Sequence, residues 1–170
     1  MEKIKVLIDE STLEKRIKEL GKQIEKDYGG KEIVFIGILK GSVIFMTQLA
    51  KNIKKNVEFD FMDVSSYEGT ESTGKIKINK DIRNSVEGKD VIIVEDIIDT
   101  GKTLKYLLEY LKQKNPNSIK IVTMLSKQAR RVEKIDVDYI GFEIDDKFVV
   151  GYGLDYDEKY RNLPYIGYIE

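Results

Sequence analysis

Apolar residues follow two different periods along this chain. Ile4 to Ile8 (IKVLI) alternates as a short half-buried strand does. Leu13, Ile17, Leu20 and Ile24 then recur every three or four residues, which predicts a helix with one buried face. Ser11 or Thr12 is the expected cap of that helix, and Gly29-Gly30 its end. Ile33 to Ile38 (IVFIGI) is apolar without alternation and reads as a strand covered on both faces. A turn at Leu39-Lys40-Gly41-Ser42 leads into a second helix from about Val43 to Ile53. Val57 to Ser65 returns as a strand, and a polar stretch from Ser66 to Gly74 separates it from a hairpin return at Ile76 to Ile78. Val91 to Val94 is again wholly apolar. A helix from about Lys102 to Lys114 follows, closed by Asn115-Pro116-Asn117, and strands are expected at Ile119 to Leu125 and Tyr139 to Ile144. Apolar strands alternating with helices predict an α/β fold with a mostly parallel sheet flanked by helices. The aromatic tail from Phe148 breaks the alternation and is expected to form a flap.

No repeat and no Pro/Gly/Ser-rich linker interrupts the 170 residues, so a single domain spanning 1–170 is expected, with 41% hydrophobic residues to fill its core. Lys and Arg total 29 against 30 Asp and Glu, without the basic excess usual in duplex nucleic-acid binders. The absence of Cys and His excludes thiolate nucleophiles, imidazole catalysis and Cys/His zinc sites. Proton transfer must come from Asp, Glu, Lys, Tyr, water or substrate. A metal would be held by oxygen, which points to Mg²⁺ or a relative. The N-terminus lacks the apolar core of a signal peptide, and no stretch approaches membrane-spanning length, so a cytoplasmic protein is expected, with no membrane or nucleic-acid partner.

The chemistry concentrates in VIIVEDIIDTGKTL, Val91 to Leu104. The turn after an apolar strand of a parallel sheet opens a helix whose free N–H groups and partial positive charge favour a phosphate. Asp99-Thr100-Gly101-Lys102-Thr103 has that form, with a glycine for close approach and two hydroxyls. Gly101-Lys102-Thr103 also matches the end of a Walker A loop. The first glycine of such a loop would fall at Asp96, whose carboxylate would repel the phosphates.

The run Glu95-Asp96-Ile97-Ile98-Asp99-Thr100-Gly101 resembles the phosphoribosyl pyrophosphate (PRPP) signature of the type I phosphoribosyltransferases. Three further segments narrow the resemblance to the bacterial hypoxanthine-guanine branch. They are Leu39 to Ser42, Ser65-Ser66-Tyr67 with Gly69 to Gly74, and Phe148 to Arg161 followed by Asn162-Leu163-Pro164-Tyr165. Together they cover most of the chain from Val34 to Ile169, in the family's order. Gln128-Ala129 and Asp145 stand where many relatives have proline, which bears only on loop shape.

That resemblance implies transfer of the 5-phosphoribosyl group from PRPP to N9 of hypoxanthine or guanine, giving IMP or GMP and pyrophosphate, with Mg²⁺ as cofactor. Thr100, Gly101, Lys102 and Thr103 would hold the 5-phosphate. Glu95 and Asp96 would face the ribose hydroxyls, directly or through metal-bound water. Lys40, Gly41 and Arg161 would meet pyrophosphate, with a cis peptide between Lys40 and Gly41. Asp155 would ligate a second metal beside the purine. Asp99 would be the general base at purine N7, Phe148 the stacking surface, Lys127 the donor to O6 and Val149 the backbone reader of the other edge. Ser66 and Tyr67 would belong to a mobile lid at about residues 66–76. A small hood would form mainly from residues 145–170 with a contribution from the N-terminus. A homodimer or homotetramer is expected. Xanthine as acceptor stays open. An RNA-binding regulator on the same fold is disfavoured by the presence of Asp99 and the near-zero net charge.

Overall fold

The computed structural model describes residues 3–66 and 75–170. Nine strands and three α-helices occur among them, in the order β1 (Ile4–Ile8), α1 (Glu10–Tyr28), β2 (Ile33–Ile38), α2 (Val43–Lys51), β3 (Val57–Ser66), β4 (Ile76–Lys80), β5 (Asp90–Ile98), α3 (Lys102–Lys112), β6 (Ser118–Ser126), β7 (Tyr139–Glu143), β8 (Val149–Val150) and β9 (Ile166–Ile169). A six-stranded sheet runs β4-β3-β2-β5-β6-β7, parallel except for the antiparallel β3–β4 edge. A second sheet, β1-β9-β8, joins the two ends of the chain and is antiparallel throughout.

The unbroken apolar strands are explained by two cores, one on each face of the large sheet. Phe35, Ile92, Val94, Val122 and Met124 point to one face, with α1 and α2 packed over them. Val34, Ile36, Val91, Ile93 and Ile121 point to the other, under Leu104, Leu107 and Leu111 of α3. Successive residues of a strand face opposite sides, so a strand covered twice must be apolar at every position.

Helix boundaries shift in three places, and β5 extends four residues past Val94 to Ile98, so that Glu95 and Asp96 lie within the strand. Asp9, rather than Ser11 or Thr12, caps α1: its carboxylate accepts the N–H of Thr12 at 2.8 Å, and Ser11 and Thr12 already lie inside the helix. An aspartate at that position also meets the positive helix end. Gly29 ends α1 in the left-handed conformation. Helices α2 and α3 stop at Lys51 and Lys112, two residues short of the periodicity-based ends.

Three polar contacts tie the large sheet together away from its carboxyl end. Asp60, buried within β3, accepts the backbone N–H groups of Phe61, Arg83 and Asn84 and so anchors the segment entering β5. Arg16 of α1 donates to the carbonyls of Ile140 and Gly141 in β7. At the start of β5, Asp90 Oδ1 accepts from Ser118 Oγ and from Asn117 Nδ2, both at 2.7 Å. The Ser118 hydroxyl, more than the Asn117 amide, holds the Asp90 carboxyl below its usual range. A depressed carboxyl stabilises the fold above its unfolded value, and that contribution disappears as pH falls through the folded value. Ser118→Ala should therefore cost about 1 kcal/mol near pH 6, after allowance for solvent screening of this partly exposed group, and distinctly less near pH 3. Urea unfolding at both pH values measures this, and an equal loss at each would contradict it.

Candidate active site

The strand order creates one crevice. From β2 the chain crosses through α2 to β3 on one side, and from β5 it crosses through α3 to β6 on the other. Ligands of parallel α/β sheets sit beyond the carboxyl ends of the strands at such a reversal. The pairing of β2 with β5 ends at Gly37–Val94, so Glu95 and the residues after it extend past it.

Two loops and the tail converge there on two glycines. A Cβ built on Gly41 would lie 1.7 Å from Asp96 Oδ2, so only glycine lets the loop after β2 close on the acidic pair. A Cβ on Gly153 would lie 2.2 Å from the Gly41 carbonyl oxygen. Gly153 has φ +101°, its N–H donates to the Arg161 carbonyl, and its own carbonyl accepts from Arg161 Nη1 at 2.8 Å. Asp96, Gly41, Gly153 and Arg161 thus form one continuous stack drawn from β5, the loop after β2 and the C-terminal segment. The cis peptide of this loop is Leu39–Lys40, one residue before the expected Lys40–Gly41 bond. Lys40, not Gly41, is therefore the residue whose N–H belongs to the cis unit.

Electrostatics in the crevice are unbalanced. Burial raises the Glu95 carboxyl well above its usual range, and the neighbouring Asp96 charge adds to the shift. Asp96 is raised by burial as well, against the opposing pull of the Ile97 N–H, which donates to Asp96 Oδ1 at 2.6 Å. Around this pair lie cations held by carboxylates. Arg161 Nη2 is 3.4 Å from Asp155 Oδ1 and 3.2 Å from Glu158 Oε1, while Lys40 Nζ is 3.0 Å from Glu158 Oε2. Arg161 Nε is buried with no hydrogen-bond partner among the described residues.

A cavity of about 190 Å³ adjoins the acidic pair, lined by Glu95, Asp99, Thr100, Gly101, Thr103 and Val64, among others. It opens beside the start of α3, where Gly101 is the cap residue at φ +85° and the Lys102 N–H makes only a long contact, donating to Thr100 Oγ1 at 3.4 Å. Lys102 is exposed and does not line it. Asp99 Oδ1 has a charge contact with Arg130 Nε at 3.3 Å, without hydrogen-bond geometry. Arg131 pins the same loop, donating from Nε to the Asp99 carbonyl at 3.1 Å and from Nη2 to Ser126 Oγ at 2.9 Å.

Lys127 follows β6 and is only 6% exposed, its Nζ 3.5 Å from Asp146 Oδ1. Arg130 Nη1 is 3.4 Å from the same oxygen, so Arg130 links Asp146 to Asp99. Phe148 is 55% exposed, its ring edge-on to Tyr156 with ring centroids 5.6 Å apart, and the next residue, Val149, is buried. Ser66 ends β3 as an exposed residue, and Tyr67 lies outside the described residues. Sequence reasoning passed over Arg130, Arg131, Asp146 and Glu158, each of which contacts a predicted site residue. Charged residues scattered through polar loops carry no periodic signal, so only the folded geometry singles these out.

Residues 6–157 match the phosphoribosyl transferase domain family, and the chain belongs to that family. Its fold is the α/β architecture of the type I phosphoribosyltransferases. A hypoxanthine-guanine phosphoribosyltransferase of Staphylococcus aureus is 55% identical over 163 residues, covering 95% of this chain and 91% of that protein. The bifunctional protein TilS/HprT of Listeria monocytogenes is 52% identical over 167 residues; the match covers 98% of this chain but only 26% of that longer protein. A crystal structure of a hypoxanthine-guanine phosphoribosyltransferase from Bacillus anthracis superposes with a TM-score of 0.94 at 46% identity, covering 99% of this chain and 98% of that one.

The glycine stack carries a prediction. Gly153→Ala places a methyl against backbone and also imposes an unfavourable φ, whereas Gly88 has φ +71° and a Cβ there would meet nothing within 4 Å. Gly88→Ala should cost about 1–2 kcal/mol from backbone strain alone, and Gly153→Ala roughly 2–5 kcal/mol from strain and overpacking together. Denaturant titration of both variants measures the difference. Equal losses would mean that Gly153 is needed only for its dihedral.

Proposed function

We propose that this chain transfers the 5-phosphoribosyl group from PRPP to N9 of hypoxanthine or guanine, giving IMP or GMP and pyrophosphate. The observation that carries this reading is the convergence of Asp96, Gly41 and Gly153, which joins an acidic pair, a helix start and a cationic cluster in one crevice. A sugar bearing a phosphate at one end and a diphosphate at the other needs those three environments side by side.

In this reading the 5-phosphate enters the cavity beside α3 and accepts from the N–H groups of Thr100 to Thr103, displacing the long Lys102–Thr100 contact, and from the threonine hydroxyls. The diphosphate faces the cluster of Lys40, the backbone at Gly41 and Arg161, whose buried Nε lacks a partner among the described residues. The raised carboxyls of Glu95 and Asp96 suit a divalent cation, which would relieve their repulsion. Among the described residues no group of three or more acidic side chains closes into a metal cage. That fits Mg²⁺, which takes one or two carboxylates and completes its shell with water and phosphate oxygens. Glu95, Asp96 and, for a second ion, Asp155 would hold it, and bound Mg²⁺ would neutralise the departing diphosphate.

The C1′–O bond to diphosphate breaks as the N9–C1′ bond forms, through an oxocarbenium-like transition state. Asp99 accepts the purine proton from N7, a carboxylate taking the part that no histidine is present to play. Phe148 offers its exposed face to the purine, Lys127 donates to O6, and the Val149 backbone meets the opposite edge. Residues 145–170 with β1 serve as the hood, and residues about 66–76, including Ser66 and Tyr67, as the lid that excludes water.

Lys127 sets the acceptor. An ammonium has three donors and no acceptor, so it matches the carbonyl at position 6 of hypoxanthine and guanine and faces a donor in adenine. A mismatched buried donor can reduce kcat/KM by about 10⁴-fold or more. With PRPP and Mg²⁺ supplied, nucleotide should form from hypoxanthine and guanine and hardly at all from adenine. Lys127→Ala should impair the two good substrates and narrow the gap. Efficient adenine use, or selectivity unchanged in the variant, would remove Lys127 from base recognition.

Asp99→Asn keeps the shape of the side chain but cannot take a proton. Turnover should fall by about 10²–10⁴-fold while PRPP affinity is retained. Weakened PRPP binding at unchanged turnover would confine Asp99 to the phosphate loop.

A further inference from the structure

Glu158 contacts both cations assigned above to the diphosphate. Its Oε2 accepts from Lys40 Nζ at 3.0 Å and its Oε1 from Arg161 Nη2 at 3.2 Å, so each oxygen takes one cation. The hydrogen bond from Lys40, then that from Arg161, holds the carboxyl below its usual range. Lys40 lies 118 residues away in the chain, on the loop after β2.

These contacts contribute little to holding the fold. The side chains of Lys40 and Glu158 are 65% and 63% exposed, and ion pairs that open to water add little stability. The backbone beneath Glu158 is by contrast well tied. Its N–H donates to Asp155 Oδ2 at 2.8 Å, and Tyr156 and Lys159 exchange backbone hydrogen bonds across the turn at 3.1 and 3.0 Å. Asp157 and Glu158 sit at φ +52° and +61°, left-handed conformations that place the Glu158 side chain over the Lys40 loop. A fixed backbone with an exposed, reorientable carboxylate suits a group that must leave without disturbing the hood.

Resting on the phosphoribosyltransferase reading, we propose that Glu158 is a positioning residue that occupies the diphosphate site in the ligand-free enzyme, bridging Lys40 and Arg161, and is displaced whenever PRPP or pyrophosphate binds. Its carboxylate offers one negative charge through two oxygens; a diphosphate offers more charge on more oxygens and wins the two cations. The competition has two consequences. Lys40 and Arg161 stay apart, Arg161 shared between Glu158 and Asp155, instead of collapsing onto Asp96. Pyrophosphate affinity is reduced, because every binding event must first break both contacts.

Isothermal titration of the full chain with pyrophosphate, in buffer containing Mg²⁺, tests the proposal. Glu158→Gln should bind pyrophosphate about three- to tenfold more tightly than the unmodified chain, the size expected from removing two exposed charge contacts. Affinity for GMP, which carries no diphosphate, should not change. Glu158→Asp retains the charge but shortens the reach to Lys40, and should fall between the two. The gain should shrink at high ionic strength, as screening weakens the competing contacts. Damage to the fold would not tighten a ligand, so unchanged or weakened pyrophosphate binding in Glu158→Gln overturns the proposal. An unmodified chain that binds neither pyrophosphate nor GMP would instead overturn the phosphoribosyltransferase reading itself.

Discussion

The site depends on two hydrogen atoms standing where methyl groups would not fit. Gly41 meets the Asp96 carboxylate at a separation that leaves no room for a Cβ, and Gly153 meets the Gly41 carbonyl in the same way. Through those contacts the loop after β2, the end of β5 and the C-terminal segment become one wall. Each alone is ordinary: an acidic strand end, a tight turn, a tail with an arginine. Pressed together, they set a cation cluster against an acidic pair whose carboxyls burial has pushed upward.

That juxtaposition explains why the charges of the crevice are arranged as they are. A site that receives a highly anionic substrate must present cations, and cations left unpaired in a half-buried cleft are costly. Here each is held by a carboxylate at moderate distance: Arg161 by Asp155 and Glu158, Lys40 by Glu158, Lys127 by Asp146. Contacts of 3.0–3.5 Å keep these side chains in place yet remain easy to exchange. Arg130 extends the network, joining the carboxylate beside Lys127 to Asp99, so Lys127 and Asp99 share one support.

The fold was largely legible because its strands are buried on both faces. A run such as Ile33 to Ile38 has nowhere to sit except the middle of a covered sheet, and the observed strand has those bounds. The β5–α3 turn was legible for a related reason: an apolar strand ending in acids and a Gly/Thr turn admits few structures, and Glu95, Asp99, Thr100, Gly101 and Thr103 do share one cavity. Finer placement was not. Ser11, Thr12 and Asp9 are all competent caps, and the choice among them depends on where β1 ends. The cis bond falls one residue from the expected place, at Leu39–Lys40. Arg130, Asp146 and Glu158 were invisible for a deeper reason. In a chain with 59 acidic and basic residues, nothing in the order of residues marks which of them will meet across the fold.

Division of labour between strands and loops follows from the same physics. Every strand position spent on a charge would remove a side chain from one of the two cores, so the chemistry is confined to the carboxyl ends and the turns beyond them. Glu95 and Asp96 mark that limit. They remain within β5, where Glu95 is still paired with Thr123 of β6, but past the last contact with β2. Partial burial raises their carboxyls, and the strand ladder holds their backbone side by side. A carboxylate pair on a loose loop would relax. Held by a sheet, it keeps two carboxyls side by side, and the rigid core thereby fixes an acidic pair at the floor of the crevice.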